Sequence, residues 1–254
     1  MNKIAPLKAI FAIPLTIIHY LVYGLILLIF WPLQWISLKL FGYNGHKKSV
    51  DLLNICLNSS LFFLASSIKI NNDYKLPTDR PLIIVANHQS HYDINPLGHT
   101  FRNHHPKYIS KIELGSGIPS VSFNLKHGGS VLIDRKDSKQ ALGALRDFGK
   151  YLEENKYSGV IFPEGTRSKN GEPKRFSENG LKMLLKFAPS ALVIPVSINN
   201  SWKVMQYGSF PLDIGNKLEF DVQKAIDPKG RPFDEVFKEI ELAVKNGVET
   251  KQIC

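Results

Sequence analysis

The apolar positions fall into two regimes. From Ala9 to Leu38 the chain runs for thirty residues without an Asp, Glu, Lys or Arg. A spanning helix needs ~20 apolar residues, and a signal peptide has an apolar core of only about 7–15 followed by a small-residue cleavage site. This run is too long for the second and lacks an A-x-A end, so it predicts a retained anchor. Pro14 and Pro32 are the positions where such a helix would kink or end. Lys3 and Lys8 precede the run and Lys39, Lys47 and Lys48 follow it. Positive charge on both flanks sets no orientation, and it also fits a segment that enters and leaves on one face. A second apolar stretch, Leu52 to Ile68, is broken by Asn54, Asn58, Ser59 and Ser60, which predicts an amphipathic helix packed on the first or on lipid. Asn71-Asn72-Asp73 and then Pro77 read as a turn that closes this module. The expected organisation is a hydrophobic two-helix membrane module over 1–70 and an α/β domain over 71–254.

Beyond the turn the pattern changes to short apolar runs alternating with amphipathic stretches. Leu82–Ala86, Ser130–Ile133, Gly159–Phe162, Leu192–Ile198 and Lys217–Val222 read as strands. Lys139–Tyr151, Gly180–Phe187 and Phe233–Val244 have helical spacing; in the last, Phe233, Val236, Phe237, Ile240 and Val244 share one face. Strands alternating with helices predict an α/β fold with a mixed, largely parallel sheet flanked by helices.

The formal charge is +10. A basic surface attracts phosphates, acidic proteins, nucleic acid or anionic lipid, and charge alone does not choose among them. Aromatic residues do not interleave with basic ones as a nucleic-acid surface would require. Cys56 and Cys254 form neither a C-x-x-C pair nor a disulfide framework.

Candidate chemistry collects at predicted strand ends, where ligands of open α/β sheets sit. After Leu82–Ala86 comes Asn87-His88-Gln89-Ser90-His91-Tyr92-Asp93. His88 and Asp93, five residues apart, would lie about 140° apart on a regular helix. They meet only if His88 precedes a helix and Asp93 stands on its first turn. In that geometry Asp93 accepts a hydrogen bond from one imidazole nitrogen and leaves the other free as a base. A metal is the other reading of His88, His91 and Asp93, with His104-His105 nearby, but the spacing matches neither H-E-x-x-H nor a Cys-containing zinc set. The second candidate is Phe162-Pro163-Glu164-Gly165-Thr166-Arg167-Ser168. Gly165 permits a tight turn, Arg167 can grip a phosphate bidentately, and Glu164 can orient that Arg or a ligand hydroxyl. Asp134-Arg135 offers a second guanidinium, and Lys111 with Glu113 a weaker signal. Gly115-Ser116-Gly117 does not complete G-x-G-x-x-G. Gly128-Gly129-Ser130-Val131-Leu132 lacks the last glycine of a nucleophile elbow, and no G-x-x-x-x-G-K-[ST] loop occurs.

Together these segments resemble the glycerophospholipid acyltransferase family, which includes lysophosphatidate acyltransferase. Its four blocks occur in order over roughly Leu82 to Val222: NHQSHYD with His88-x4-Asp93, GSVLIDR from Gly129 to Arg135, FPEGTRS from Phe162 to Ser168, and Val193-Ile194-Pro195-Val196. The resemblance implies that His88 is the base and Asp93 its orienting partner, and that Arg135, Glu164, Gly165 and Arg167, with Lys111, form the acceptor-phosphate pocket. It also implies an acyl-CoA or acyl carrier protein (acyl-ACP) donor, a lysophospholipid acceptor, and no cofactor, metal or nucleic acid. It further implies a membrane location on the cytoplasmic face of the inner membrane. Many members carry F-K-x-G after the third block; here Phe176-Ser177-Glu178-Asn179-Gly180 has one more residue and no Lys.

Overall fold

The computed structural model describes residues 4–248; Lys3 and Cys254, used in the sequence reading, lie outside them. Helix α1 (Pro6–Ser59) opens the chain and breaks at Gly42, where φ is 61° and ψ −152°. The prolines at 14 and 32 do not set the break: both lie inside the helix. A glycine alone adopts that positive φ without steric cost. The break turns the chain back on itself, so that Phe30 of the first half packs against Leu53 and Leu57 of the second. The expected pair of helices is present, but the second starts at the Gly42 break, well ahead of Leu52. A short 3-10 turn, Ser60–Leu64, ends it.

Among the described residues seven strands follow in one sheet: β1 (Ser67–Asn71), β2 (Leu82–Ala86), β3 (Pro106–Lys111), β4 (Val131–Ile133), β5 (Ser158–Ile161), β6 (Leu192–Asn199) and β7 (Lys217–Val222). Their order is β1-β7-β6-β2-β5-β3-β4. Only β6 and β7 are antiparallel, with Val196 opposite Val222; every other neighbouring pair is parallel. The sheet is mixed and largely parallel, as the alternating pattern predicts. Strands β1 and β3 correct that reading. Residues 67–68, expected at the end of a helix, are extended and pair with β7; Ile68 and Ile70 alternate with Ser67, Lys69 and Asn71, a period of two.

The helices are α2 (Ile94–Thr100), α3 (Val121–His127), α4 (Ser138–Asn155), α5 (Glu178–Phe187) and α6 (Phe233–Asn246). Strand β2 is buried at every position because both sheet faces are covered. Leu82, Ile84 and Ala86 join one core with Leu61, Leu64, Leu97 and Phe101. Ile83 and Val85 join the other, with Phe148 and Leu152 of α4, Leu181 and Leu184 of α5, and Ile240 of α6. A strand covered on both faces reads as an unbroken apolar run, which is why LIIVA is legible as one.

The first half of α1 is tied to the α/β layer by polar contacts. Thr16 Oγ1 accepts from the Leu212 N–H at 3.0 Å, Tyr20 donates to the Ser209 carbonyl, and Ser120 donates to the Leu27 carbonyl. Its remaining surface is apolar and exposed, including Leu7 (73%), Leu21 (69%) and Phe41 (71%). By length and composition the helix is able to cross a membrane.

Candidate active site

Parallel pairing brings the carboxyl ends of β2, β3, β4, β5 and β6 to one edge of the sheet. The first and third sequence blocks leave from the ends of β2 and β5, the second contains β4 and ends at Arg135 just beyond it, and the fourth lies inside β6, which explains how residues far apart in the chain converge.

After β2 the chain turns sharply. Ser90 caps a short 3-10 turn, His91–Asp93, that runs into α2; its hydroxyl accepts from the Tyr92 N–H, and the Asp93 carboxylate accepts from the Ser90 N–H. This reciprocal cap satisfies two orphan donors at the helix start. It also sets Asp93 on the first turn, with His88 before it, the arrangement the five-residue spacing requires. His88 Nδ1 lies 2.8 Å from Asp93 Oδ2. The same oxygen accepts from the N–H groups of Gln89 at 2.7 Å and Ser90 at 2.9 Å. Asp93 is fully buried. A buried carboxylate is tolerated only with such a set of donors. Because carboxylate Oδ2 only accepts, Nδ1 carries the proton and Nε2 is left with a free lone pair. The His88 ring stacks on Phe162, centroids 4.2 Å apart and planes at 21°, so both its orientation and its tautomer are set.

The third block leaves β5 as a tight turn in which the Gly165 N–H reaches the Phe162 carbonyl at 3.0 Å. Gly165 has φ +69°, so the turn needs a glycine there. Glu164 Oε1 accepts from the His88 N–H at 3.0 Å, and the Ser168 N–H donates to the His88 carbonyl at 2.7 Å. The first and third blocks thus clasp each other through the backbone of His88. Burial pushes the Glu164 carboxyl above its ordinary range, opposed by the N–H groups of His88 and Lys174. Arg135, two residues beyond β4, donates to the Gly165 carbonyl. Lys174 reaches the Thr166 hydroxyl at 2.9 Å and the Arg167 carbonyl at 2.8 Å, so an ammonium braces this loop although the F-K-x-G lysine is missing.

His88, Lys111, Arg135, Gly165 and Arg167 all line one cavity of about 1330 Å³, whose apolar wall includes Ile109, Ile133, Leu145 and Ile161. Lys111, Arg135 and Arg167 are exposed, while Asp93 lies behind His88, away from solvent. His91 also lines the cavity. Burial first, and the charge of Arg167 second, push its imidazole down to about 4, so it is neutral at physiological pH. Among the described residues no group of three or more His, Cys, Asp or Glu is placed to share a metal ion. His105 instead stacks on Tyr157 with centroids 4.6 Å apart.

Sequence reasoning missed two supports. The Gln89 side chain accepts from the Ser201 N–H at 3.1 Å and donates to the Gly171 carbonyl at 3.1 Å. The Ser201 hydroxyl donates to Asp93 Oδ1. Neither has a signal in local spacing, because each contact joins segments about a hundred residues apart.

Residues 67–199 match the family model described as Acyltransferase. A 1-acyl-sn-glycerol-3-phosphate acyltransferase of Helicobacter pylori is 35% identical over 156 residues, 58% of this chain and 63% of that protein. One of Borreliella burgdorferi is 28% identical over 153 residues, 60% of this chain and 59% of that protein. The aligned stretch therefore spans about three-fifths of these relatives. The crystal structure of the 1-acyl-sn-glycerophosphate acyltransferase PlsC from Thermotoga maritima superimposes with a TM-score of 0.76 at 25% identity, covering 92% of this chain and 93% of that one.

Proposed function

The chain belongs to the acyltransferase family, and from that premise we propose that it moves a fatty acyl group from acyl-CoA or acyl-ACP to the free hydroxyl of lysophosphatidate, forming phosphatidate. The observation that carries this reading is the His88–Asp93 contact of 2.8 Å at the wall of a cavity that also holds Lys111, Arg135 and Arg167.

In the proposed reaction, His88 Nε2 takes the proton of the acceptor hydroxyl as its oxygen attacks the thioester carbonyl. The carbon–oxygen bond forms, the tetrahedral intermediate collapses, and the carbon–sulfur bond breaks. The departing sulfur receives the proton from His88. Asp93 holds the imidazole in the required tautomer and stabilises the transient imidazolium. A thiol of pKa ~8.5 leaves readily, so the difficult step is making an alcohol nucleophilic. One positioned base contributes about 10²–10⁴-fold, and alignment of donor and acceptor supplies much of the rest. No nucleophilic side chain is needed, in accord with the missing nucleophile elbow, and the scheme requires no cofactor.

Lys111, Arg135 and Arg167 are the groups to hold the acceptor phosphate, and the cavity's apolar wall suits an acyl chain. The exposed apolar face of α1 suits a bilayer, and its return at Gly42 suits attachment to one face, the cytoplasmic face in this reading. An acceptor panel tests the assignment: purified protein in lipid, given labelled acyl-CoA and acyl-ACP, is offered lysophosphatidate, glycerol 3-phosphate, other lysophospholipids and water. The reading expects phosphatidate as the main product. Free fatty acid formed at the same rate without acceptor would make the protein a hydrolase and contradict it.

A further inference from the structure

Asp93 uses its two oxygens differently. Oδ2 faces His88 and two backbone N–H groups. Oδ1 faces away from them, toward the segment that follows β6. There the hydroxyl of Ser201 donates to it, while Ser90 Oγ is at 3.5 Å, the limit of a hydrogen bond. Ser201 is thus the principal donor to this second oxygen. It comes from a segment 108 residues away in sequence.

Ser201 is itself held in place. It is fully buried. Asn200, just before it, turns the chain with φ +66°, and the Ser201 N–H is fixed on Gln89 Oε1 at 3.1 Å. The Ser90 hydroxyl lies 3.3 Å from Ser201 Oγ and completes a short chain of hydroxyls ending at the carboxylate. Strand β6 pairs in parallel with β2, with Val196 beside Ala86, so both segments emerge at the same edge of the sheet.

We infer that Ser201 is a positioning residue for the reaction: its hydroxyl pins Asp93 Oδ1 and so prevents rotation of the carboxylate that would take Oδ2 out of line with His88 Nδ1. The inference rests on the reading of His88 as the base. Without this donor Oδ1 keeps only the Ser90 hydroxyl at 3.5 Å, and the setting of the carboxylate about its Cβ–Cγ bond rests on the Oδ2 contacts alone; a hydrogen bond to a charged group is of the strength that matters for orientation. The loss appears in the chemical step, since Ser201 is fully buried and does not line the cavity.

The test compares Ser201→Ala, Ser201→Cys and Ser201→Thr with the wild-type chain, full length and in lipid, under saturating and subsaturating acceptor. Cysteine keeps the size and offers only a weak donor; threonine keeps the hydroxyl. Expected is a fall in kcat of about tenfold for Ala and Cys, with acceptor and donor KM within about twofold of wild type, and recovery of most of kcat in Thr. A folded Ser201→Cys chain with wild-type kcat overturns the inference, as does a change confined to KM. Failure of both Ala and Cys variants to fold also overturns it, because the hydroxyl would then serve the fold. His88→Ala is measured beside them. If it keeps more than about a tenth of wild-type transfer, the base reading itself falls; if it is inactive while Ser201→Cys is normal, only the Ser201 inference falls.

Discussion

The imidazole of His19, in the first half of α1, lies 2.8 Å from the hydroxyl of Tyr92, the residue before Asp93. The other ring nitrogen lies 3.0 Å from the Ser60 carbonyl. A carbonyl only accepts, so Nδ1 carries the proton and Nε2 accepts from Tyr92. A fully buried histidine therefore joins the apolar helix to the turn that carries the His88–Asp93 pair. His19→Ala removes the acceptor and leaves a buried hydroxyl unsatisfied, which costs about 1–3 kcal/mol. Thermal unfolding in detergent should show that loss for His19→Ala, and His19→Gln, which can still accept, should recover part of it. Unchanged stability in His19→Ala would mean that the contact contributes nothing net.

The arginines separate acceptor binding from chemistry. Arg135 and Arg167 line the same cavity as His88. A hydrogen bond to a charged group contributes about 1.5–3 kcal/mol, so Arg167→Ala and Arg135→Ala should each raise the apparent KM for a phosphate-bearing acceptor by about 10–150-fold. Lysine should rescue only in part, because an ammonium lacks the bidentate fork. Steady-state kinetics against acceptor concentration decide it. Equal loss of transfer and of acceptor-independent thioester hydrolysis, with acceptor KM unmoved, would assign the arginines to the donor or the fold.

Much of this site was legible because it is local. His88 and Asp93 stand five residues apart on one turn, so the sequence contains their contact once the turn is read as a strand end. LIIVA and LVIPVSI are legible because β2 and β6 are covered on both faces. Strands β1 and β3 were not read. β1 has only Ile68 and Ile70 as an alternating signal, directly after a long apolar run. β3 mixes Lys107, Ser110 and Lys111 with its apolar positions. The α1 break was expected at proline and occurs at Gly42, since a proline is tolerated in a long helix more readily than a reversal is made without glycine. Ser201 was illegible for a different reason: its role depends on the pairing of β6 with β2, and no spacing along the chain encodes that.

A pH test follows from Lys107, at the start of β3. Its side chain is buried at 5% exposure. Its Nζ donates to the Tyr43 hydroxyl at 2.8 Å and lies 5.1 Å from the Tyr157 ring centroid. Burial first, and nearby Lys47 second, push it down from 10.5 to about 8. The unfolded chain therefore binds this proton more tightly than the folded one. Between pH 8 and 10.5 its contribution makes stability rise with pH, by on the order of 3 kcal/mol in full. Lys107→Met lacks that contribution. Denaturant unfolding at about pH 7.5 and 10 should show wild type gaining relative to Lys107→Met as pH rises. A constant difference between the two would contradict the depressed value.

Membrane attachment is tested on the exposed face of α1 without disturbing its buried one. Phe11, Leu21 and Leu28 are 58%, 69% and 57% exposed, whereas Thr16, His19 and Phe30 are buried. Each fully buried large apolar side chain is worth about 1.5–3 kcal/mol. Phe11→Asp with Leu21→Asp should thus weaken binding to anionic vesicles by at least about tenfold while the fold persists. Unaltered vesicle sedimentation would show that this face does not meet lipid.

The most direct test of the central claim is the rate of phosphatidate formation by His88→Ala, with Asp93→Asn beside it, from labelled acyl donor and lysophosphatidate in vesicles at saturating acceptor. With His88 as the base, His88→Ala loses about 10²–10⁴-fold in kcat while keeping its fold. Asp93→Asn is also severely impaired, because an amide can favour the wrong imidazole tautomer. Transfer by folded His88→Ala above about a tenth of the wild-type rate would contradict the account.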